Sequence, residues 1–231
     1  MNQKKKDVFN WFSKEGGDYA RYRPEYPVEI AKFLSGLSDS KNSALDVGCD
    51  TGQLTRLLSI YFERVIGVDP SEDQLRNVFK SPVINYFNSK AESFPLHFNN
   101  FNLITVAKAA HWFQLEDFYK EIKRVAASYA IIALISYGVL EIEGAPGERF
   151  REFYYNEIGS FWPPERQLVD NSYKDLFFPF EELSVPSLNI EVKWDLESLL
   201  GYISIWSATI NARQSGYKHL FIHFLDDVKD L

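Results

Sequence analysis

Several things are scarce in this chain of 231 residues, and each scarcity excludes something. A single cysteine, Cys49, cannot close an internal disulfide or build a multi-cysteine zinc site, so neither a disulfide framework nor a zinc ribbon is in play. Positive charge is in deficit: the formal net charge is −7. With a pI near 5.2, binding to duplex DNA or RNA is disfavoured, since that binding leans on Lys and Arg neutralising phosphates. A small-molecule partner is favoured, with no nucleic acid and no membrane. No segment approaches eighteen apolar residues, and the basic start Lys4-Lys5-Lys6 runs into Asp7 and mixed aromatics rather than an apolar h-region. A soluble, cytoplasmic protein is expected. Pro/Gly/Ser-rich linkers and internal repeats are also lacking, so residues 1–231 are read as one domain: an aromatic segment and helix over 1–40, a core over 41–137, and a cap with a late strand and helices over 138–231.

What is present is concentrated in Ser43-Ala-Leu-Asp-Val-Gly-Cys-Asp-Thr-Gly-Gln-Leu-Thr55, where an apolar strand enters a tight glycine turn that opens an amphipathic helix. Seventeen residues past Gly52, the short strand Arg64-Val-Ile-Gly-Val68 ends in Asp69, where a nucleotide-binding fold places a ribose-gripping carboxylate. The dinucleotide fingerprint Gly-x-Gly-x-x-Gly is not met, because positions 50 and 53 are Asp50 and Gln53.

Strands are predicted at 43–47, 64–69, 83–87, 102–107 and 129–136, with helices between most of them. Leu54, Leu57, Leu58 and Tyr61 repeat at helical spacing, as do Leu115, Phe118, Tyr119 and Ile122. Pro27 to Leu37 reads as a helix, and Ser71 with Gln74 forms a capping box. The alternation implies an α/β fold with a mostly parallel sheet and helices on both faces. Beyond Gly144 the sequence turns helix-rich: a helix over 147–160, a Trp162-Pro-Pro-Glu-Arg166 turn, a strand at 188–194, and a long helix striped by Leu196, Leu199, Leu200, Ile203 and Ile210. That helix is expected to cover the mouth of the sheet.

With Asp46 at the strand end and glycines at 48 and 52, the turn resembles motif I of the class I S-adenosylmethionine-dependent methyltransferases, acid-x-Gly-x-Gly-x-Gly, lacking only the middle glycine. Tyr19-Ala-Arg-Tyr-Arg-Pro-Glu-Tyr-Pro27, Ala109-Ala-His-Trp-Phe113 and Trp162-Pro-Pro-Glu-Arg166 are similar to the type 11, trans-aconitate-methyltransferase-like branch. The resemblance implies a Rossmann-like fold with S-adenosylmethionine as cofactor and S-adenosylhomocysteine as product. The activity it implies is methyl transfer to a small-molecule acceptor, carboxylate-bearing metabolites included, by a monomer or homodimer. It further implies that Gly48 and Gly52 let backbone approach the methionine part, that Asp69 accepts from both ribose hydroxyls, and that Ala91 and Glu92 meet the adenine edge. Asp46 and Ala107 belong to the same site. Tyr19, Tyr22 or Trp112 offer π faces to the sulfonium at ~0.5–2 kcal/mol each. Arg23 meets either the methionine carboxylate or a substrate carboxylate.

His111 is the candidate base for acceptors that carry a proton. Trp112, Trp162, Arg166 and Trp206 are candidates for the substrate wall, with an all-core role as the alternative. His219 and His223 share a metal-compatible spacing but are set among Leu220, Phe221, Ile222 and Phe224, so no metal is expected.

Three departures from the family pattern stand out. Asp50 replaces a glycine that lies against the cofactor; a carboxylate about 4 Å from the methionine carboxylate at an effective dielectric near 20 costs roughly 4 kcal/mol, about three decades of affinity. Facing the sulfonium or ammonium, it strengthens binding instead. Asn102 stands where an acid is common, and the last antiparallel edge strand is missing from the pattern, since only helix-like sequence follows 188–194. These departures motivate a rival reading: a catalytically silent paralogue that binds a ligand or partner.

Overall fold

A computed structural model describes residues 21–95, 100–186 and 188–229. They group into two compact units, one of Tyr26–Ile135 with Phe177–Asn189, the other of the segment ending at Glu25 with Ser136–Leu176 and the chain from Ile190.

In the first unit, α1 (Val28–Leu37) precedes β1 (Ser43–Val47), α2 (Gln53–Leu58), β2 (Arg64–Asp69), α3 (Glu72–Arg76), β3 (Ile84–Asn88), β4 (Phe101–Ala107), α4 (Leu115–Val125) and β5 (Ala126–Ile135). The strands form one parallel sheet in the order β3-β2-β1-β4-β5. Every residue of β1 is buried, as expected of a central parallel strand covered on both faces. The order reverses between β1 and β4, so the loops leaving their carboxyl ends diverge there, the usual place for a ligand in an open α/β sheet. This is the Rossmann-like class that the sequence implied.

Local chemistry explains most boundaries. Ser71 caps α3, its hydroxyl accepting from the Gln74 N–H at 3.4 Å. Only that half of the capping box forms, since the buried Gln74 Oε1 has no partner. α4 presents Phe118, Tyr119, Ile122 and Val125 to the core, and the Tyr119 hydroxyl donates to the Phe177 carbonyl at 2.7 Å. The late segment is further held where Phe178 and Phe180 pack edge-on against the Tyr119 ring. β5 starts at Ala126, earlier than predicted, because the chain passes from α4 into the strand without a loop. A bulge follows, with pairing resuming from Phe101↔Ala126 to Leu103↔Ile131. Within the bulge Tyr129 adopts φ +61° and is exposed, which interrupts the hydrophobic pattern and hid the strand's true start.

The second unit holds α5 (Gly144–Glu152), a π-helical turn at Phe153–Glu157, a 3₁₀ turn at Gly159–Phe161, α6 (Arg166–Asp170), α7 (Leu196–Ser204), α8 (Ser207–Gln214) and α9 (Lys218–Lys229). Phe150, Phe153, Tyr154, Ile158, Ile203, Trp206, Ala208 and Phe224 form its core. Three predictions are corrected here. The 147–160 helix starts at Gly144 and loosens into the π turn after Glu152. The long final helix is two, because Trp206 takes extended angles (φ −69°, ψ 141°) that bring its ring into the core. Residues 188–194 are not a strand among the described residues: burial alternates along 190–194 as the sequence pattern does, but no neighbouring strand supplies the ladder.

Candidate functional site

The turn after β1 is built on backbone angles that few residues tolerate. Gly48 and Gly52 have φ +67° and +81°, and Asp50 between them has φ +54°, a left-handed conformation that aspartate adopts more readily than most residues. The turn is tied to β2 by the Gly48 and Cys49 N–H groups, which donate to the Val68 carbonyl at 2.8 and 3.0 Å. Its glycine positions, and Gly67 on the neighbouring strand, have no room for side chains. A Cβ on Gly48 would collide with Ala109, one on Gly52 with the Tyr86 hydroxyl, and one on Gly67 with the Tyr86 ring and the Cys49 sulfur. Glycine is therefore required here by the protein's own packing.

Asp69 closes the turn from the end of β2. It is buried, and its two carboxylate oxygens accept from the Asp50 N–H at 2.9 Å and the Ser71 N–H at 2.8 Å. A carboxylate, with two acceptor oxygens side by side, matches the geometry of a vicinal diol. The Asp50 carboxylate accepts from the next residue's N–H, Thr51, at 2.6 Å. Beneath the turn Asp46 is almost fully buried, and its two oxygens accept from the Thr55 and Thr105 hydroxyls at 2.6 and 2.7 Å. Burial pushes its pKa up to about 6; the two hydroxyls restrain the rise and the Asp69 charge adds to it. Asp46 is thus a strut joining β1, α2 and β4. Burial first, and the neighbouring carboxylates second, hold the Cys49 thiol well above its usual range, so Cys49 is a packing residue.

The loop after β4 meets this turn. Ala107 ends the strand, Lys108 takes φ +57°, and Ala110–Trp112 form a 3₁₀ turn. Because Ala109 and Phe113 abut Gly48, His111 and Trp112 stand beside the glycine turn, their rings 4.8 Å apart. Ala91 is buried. The Glu92 carboxylate accepts from the Gln114 N–H at 2.8 Å at the start of α4. Glu121 takes the Phe94 N–H at 3.0 Å while Arg124 donates to the Phe94 carbonyl at 3.3 Å, so the loop expected at an adenine edge is pinned to α4. The Asn102 side chain accepts from the Ser43 N–H at 3.3 Å, a role that joins β4 to the start of β1.

The first unit therefore gathers Asp46, Gly48, Asp50, Gly52, Asp69, Ala91, Glu92, Ala107, His111 and Trp112. Tyr19 lies outside the described residues. Arg23, Trp162, Arg166 and Trp206 belong to the second unit. There Trp162 and Trp206 pack with ring centroids 5.5 Å apart, and the Arg166 guanidinium lies 4.5 Å from the Trp162 centroid and 5.6 Å from that of Tyr154. His219 and His223 lie 5.7 Å apart on α9; among the described residues no three His, Cys, Asp or Glu side chains gather as a metal site would require. Sequence reasoning missed Thr55, Thr105, Tyr86, Tyr154 and Tyr202. Thr105 was open to inference, since it sits opposite Asp46 in the β1–β4 register; Tyr86 shows only once β3 lies beside β2.

A glycine turn at a sheet switch point, closed by a buried carboxylate at the end of the next strand, defines a nucleoside-binding α/β protein. The comparisons carry this further. Residues 45–134 match the family described as a methyltransferase domain. A Dictyostelium discoideum protein named as a methyltransferase is 34% identical over 216 residues, covering 92% of this chain and 81% of that protein. A type II methyltransferase from Anaeromyxobacter dehalogenans superposes with a TM-score of 0.80 at 35% identity, covering 90% of this chain and 89% of that one. A Saccharomyces cerevisiae S-adenosylmethionine-dependent methyltransferase is 30% identical over 135 residues, 53% of this chain and 45% of its own length. The chain belongs to the class I S-adenosylmethionine-dependent methyltransferases.

Proposed function

We propose that this protein transfers the methyl group of S-adenosylmethionine to a small-molecule acceptor, carboxylate-bearing metabolites being the favoured class. The observation that carries the cofactor half is the Asp69 carboxylate, buried at the switch point beside a turn that admits no side chain at 48 or 52. The residues present fit the group: Asp69 for the ribose, the backbone of the Gly48–Gly52 turn for the methionine part, and the Ala91–Phe94 loop, rigid against α4, for the adenine. When bound, S-adenosylmethionine supplies a methyl on a sulfonium, a good leaving group.

The protein's task is then to hold the acceptor nucleophile in line and keep water out, and near-ideal orientation is worth up to ~7–11 kcal/mol. A carboxylate acceptor needs no base. A hydroxyl, amine or carbon acid does, and His111, beside the glycine turn, is the residue to take that proton. A net charge of −7 supports a small molecule over nucleic acid.

Calorimetric titration of S-adenosylmethionine and S-adenosylhomocysteine into the wild type, Asp69→Ala and Asp50→Gly tests this without a known acceptor. Micromolar binding by the wild type that weakens about tenfold or more in Asp69→Ala is expected from the loss of charge-assisted hydrogen bonds of about 1.5–3 kcal/mol. Absent binding restored only in Asp50→Gly would instead establish the silent paralogue.

A further inference from the structure

The glycine turn of this chain carries a charge that the family pattern does not place there, and the hydrogen bonds around it say which ligand group that charge suits. The Gly48 and Cys49 N–H groups donate to the Val68 carbonyl, the Asp50 N–H to Asp69 Oδ2 at 2.9 Å, the Thr51 N–H to Asp50 Oδ1 at 2.6 Å, and the Gly52 N–H to the Cys49 carbonyl at 2.8 Å. Glycine loops that bind anions do so with backbone N–H groups pointed at the ligand. In this turn all five N–H groups from Gly48 to Gly52 are already taken up within the protein.

What the turn offers a ligand is negative charge. Asp50 is fixed twice over, by its own N–H on Asp69 and by its carboxylate on the Thr51 N–H, at a φ of +54°. Asp69 accepts from the Asp50 and Ser71 N–H groups, and Asp46 beneath them is committed to the Thr55 and Thr105 hydroxyls. After burial, it is the charges of Asp46, Asp69 and Asp50 that hold the Cys49 thiol up, so all three carboxylates stand close to the turn. The arginine head groups nearest in sequence lie over other rings, that of Arg64 over Phe101 and that of Arg56 over Phe79. The amino-acid part of the cofactor carries an ammonium and a carboxylate on one carbon. A turn whose donors are taken up, with a carboxylate at its middle, has nothing to give the ligand's carboxylate and a charged acceptor to give its ammonium.

We propose that Asp50 binds the ammonium of the cofactor's amino-acid part, and so makes this turn selective for thionucleosides with a cationic chain. The assignment rests on the cofactor reading above and deepens it: of the two consequences open to Asp50, repulsion of the methionine carboxylate or attraction of the ammonium, it takes the second. Asp50 is then a specificity-determining residue particular to this chain rather than a defect in the glycine motif, and the methionine carboxylate is held outside residues 48–52.

The test is calorimetric titration of the full chain, as wild type, Asp50→Asn, Asp50→Gly and Asp69→Ala, with four thioethers of adenosine. These are S-adenosylhomocysteine, the aminopropyl thioether that lacks its carboxylate, the carboxypropyl thioether that lacks its ammonium, and methylthioadenosine, which has neither. Asparagine tolerates the left-handed conformation as aspartate does and keeps an oxygen for the Thr51 N–H, so Asp50→Asn removes the charge alone. S-adenosylhomocysteine and the aminopropyl thioether should weaken about tenfold or more in Asp50→Asn and Asp50→Gly, while the carboxypropyl thioether and methylthioadenosine lose no more than about twofold. S-adenosylhomocysteine binding that is unchanged or tighter in both variants, with the change falling on the carboxypropyl thioether, would make Asp50 a barrier to the carboxylate and overturns the assignment. All four ligands weakening alike in Asp50→Asn would make it a scaffold residue and overturns it too. Binding abolished by Asp69→Ala but indifferent to Asp50→Asn overturns the Asp50 assignment and leaves the methyltransferase reading standing, whereas failure of all four ligands to bind either the wild type or Asp50→Gly overturns that reading and the assignment with it.

Discussion

Asp46 turns a buried contact into a pH profile. Its carboxyl is pushed from 3.8 to about 6 by burial in the fold, whereas in the unfolded chain it titrates normally. The native state thus keeps a proton that the unfolded state has released, so this group's contribution to stability is greatest below pH 3.8, falls as pH rises through about 6, and is flat above. At 1.36 kcal/mol per pH unit the full difference is about 3 kcal/mol, with on the order of 1–1.5 kcal/mol of it lost between pH 5 and pH 7.5. Asp46→Asn removes the titration while leaving a side chain of the same shape between Thr55 and Thr105. Urea unfolding of both proteins at pH 5 and pH 7.5 should therefore show the variant gaining on the wild type by that amount as pH rises. Parallel profiles, or a wild type that gains on the variant, would show that Asp46 is ionised throughout and refute the argument from burial.

Two further outcomes follow from packing. Gly52→Ala should cost about 1–3 kcal/mol in thermal unfolding, through strain at positive φ and the collision with the Tyr86 hydroxyl, and Tyr86→Phe in the same chain should restore part of it. Arg149, whose side chain is 16% exposed, pairs with Glu157 and Asp227 at 2.7 Å each and lies over the Phe224 ring; Arg149→Met should destabilise the protein by about 1–3 kcal/mol, an effect that 1 M salt leaves largely in place.

Much of this protein is legible in its sequence because its central elements obey local rules. β1, β2 and β4 are short apolar runs ended by turn chemistry, and the Gly48–Gly52 spacing and Asp69 depend only on the strand on which each sits. The late chain is harder to read. Leu196 to Ile210 keeps helical spacing straight through the break at Trp206, since what ends α7 is the placing of an indole in a core made by Tyr154 and Phe150. Residues 188–194 carry a strand's alternation, which records a half-buried extended path but not whether another strand lies alongside. Trp162, Arg166 and Trp206 could be selected from the sequence as a group; the placing of Arg166 over the Trp162 and Tyr154 rings required the fold.

The strap across Tyr119 has a bearing on how the chain is made. A ribosome delivers β1 to β5 and α4 well before Phe177, Phe178 and Phe180, and the chain builds part of the second unit in between. Until those phenylalanines emerge, the Tyr119 face of α4 is wet and adhesive, an invitation to wrong partners during synthesis. Completion of the α4 surface is therefore timed by a segment that the chain reaches only after a long detour, and a truncation that stops at Leu176 would leave every copy in that exposed state.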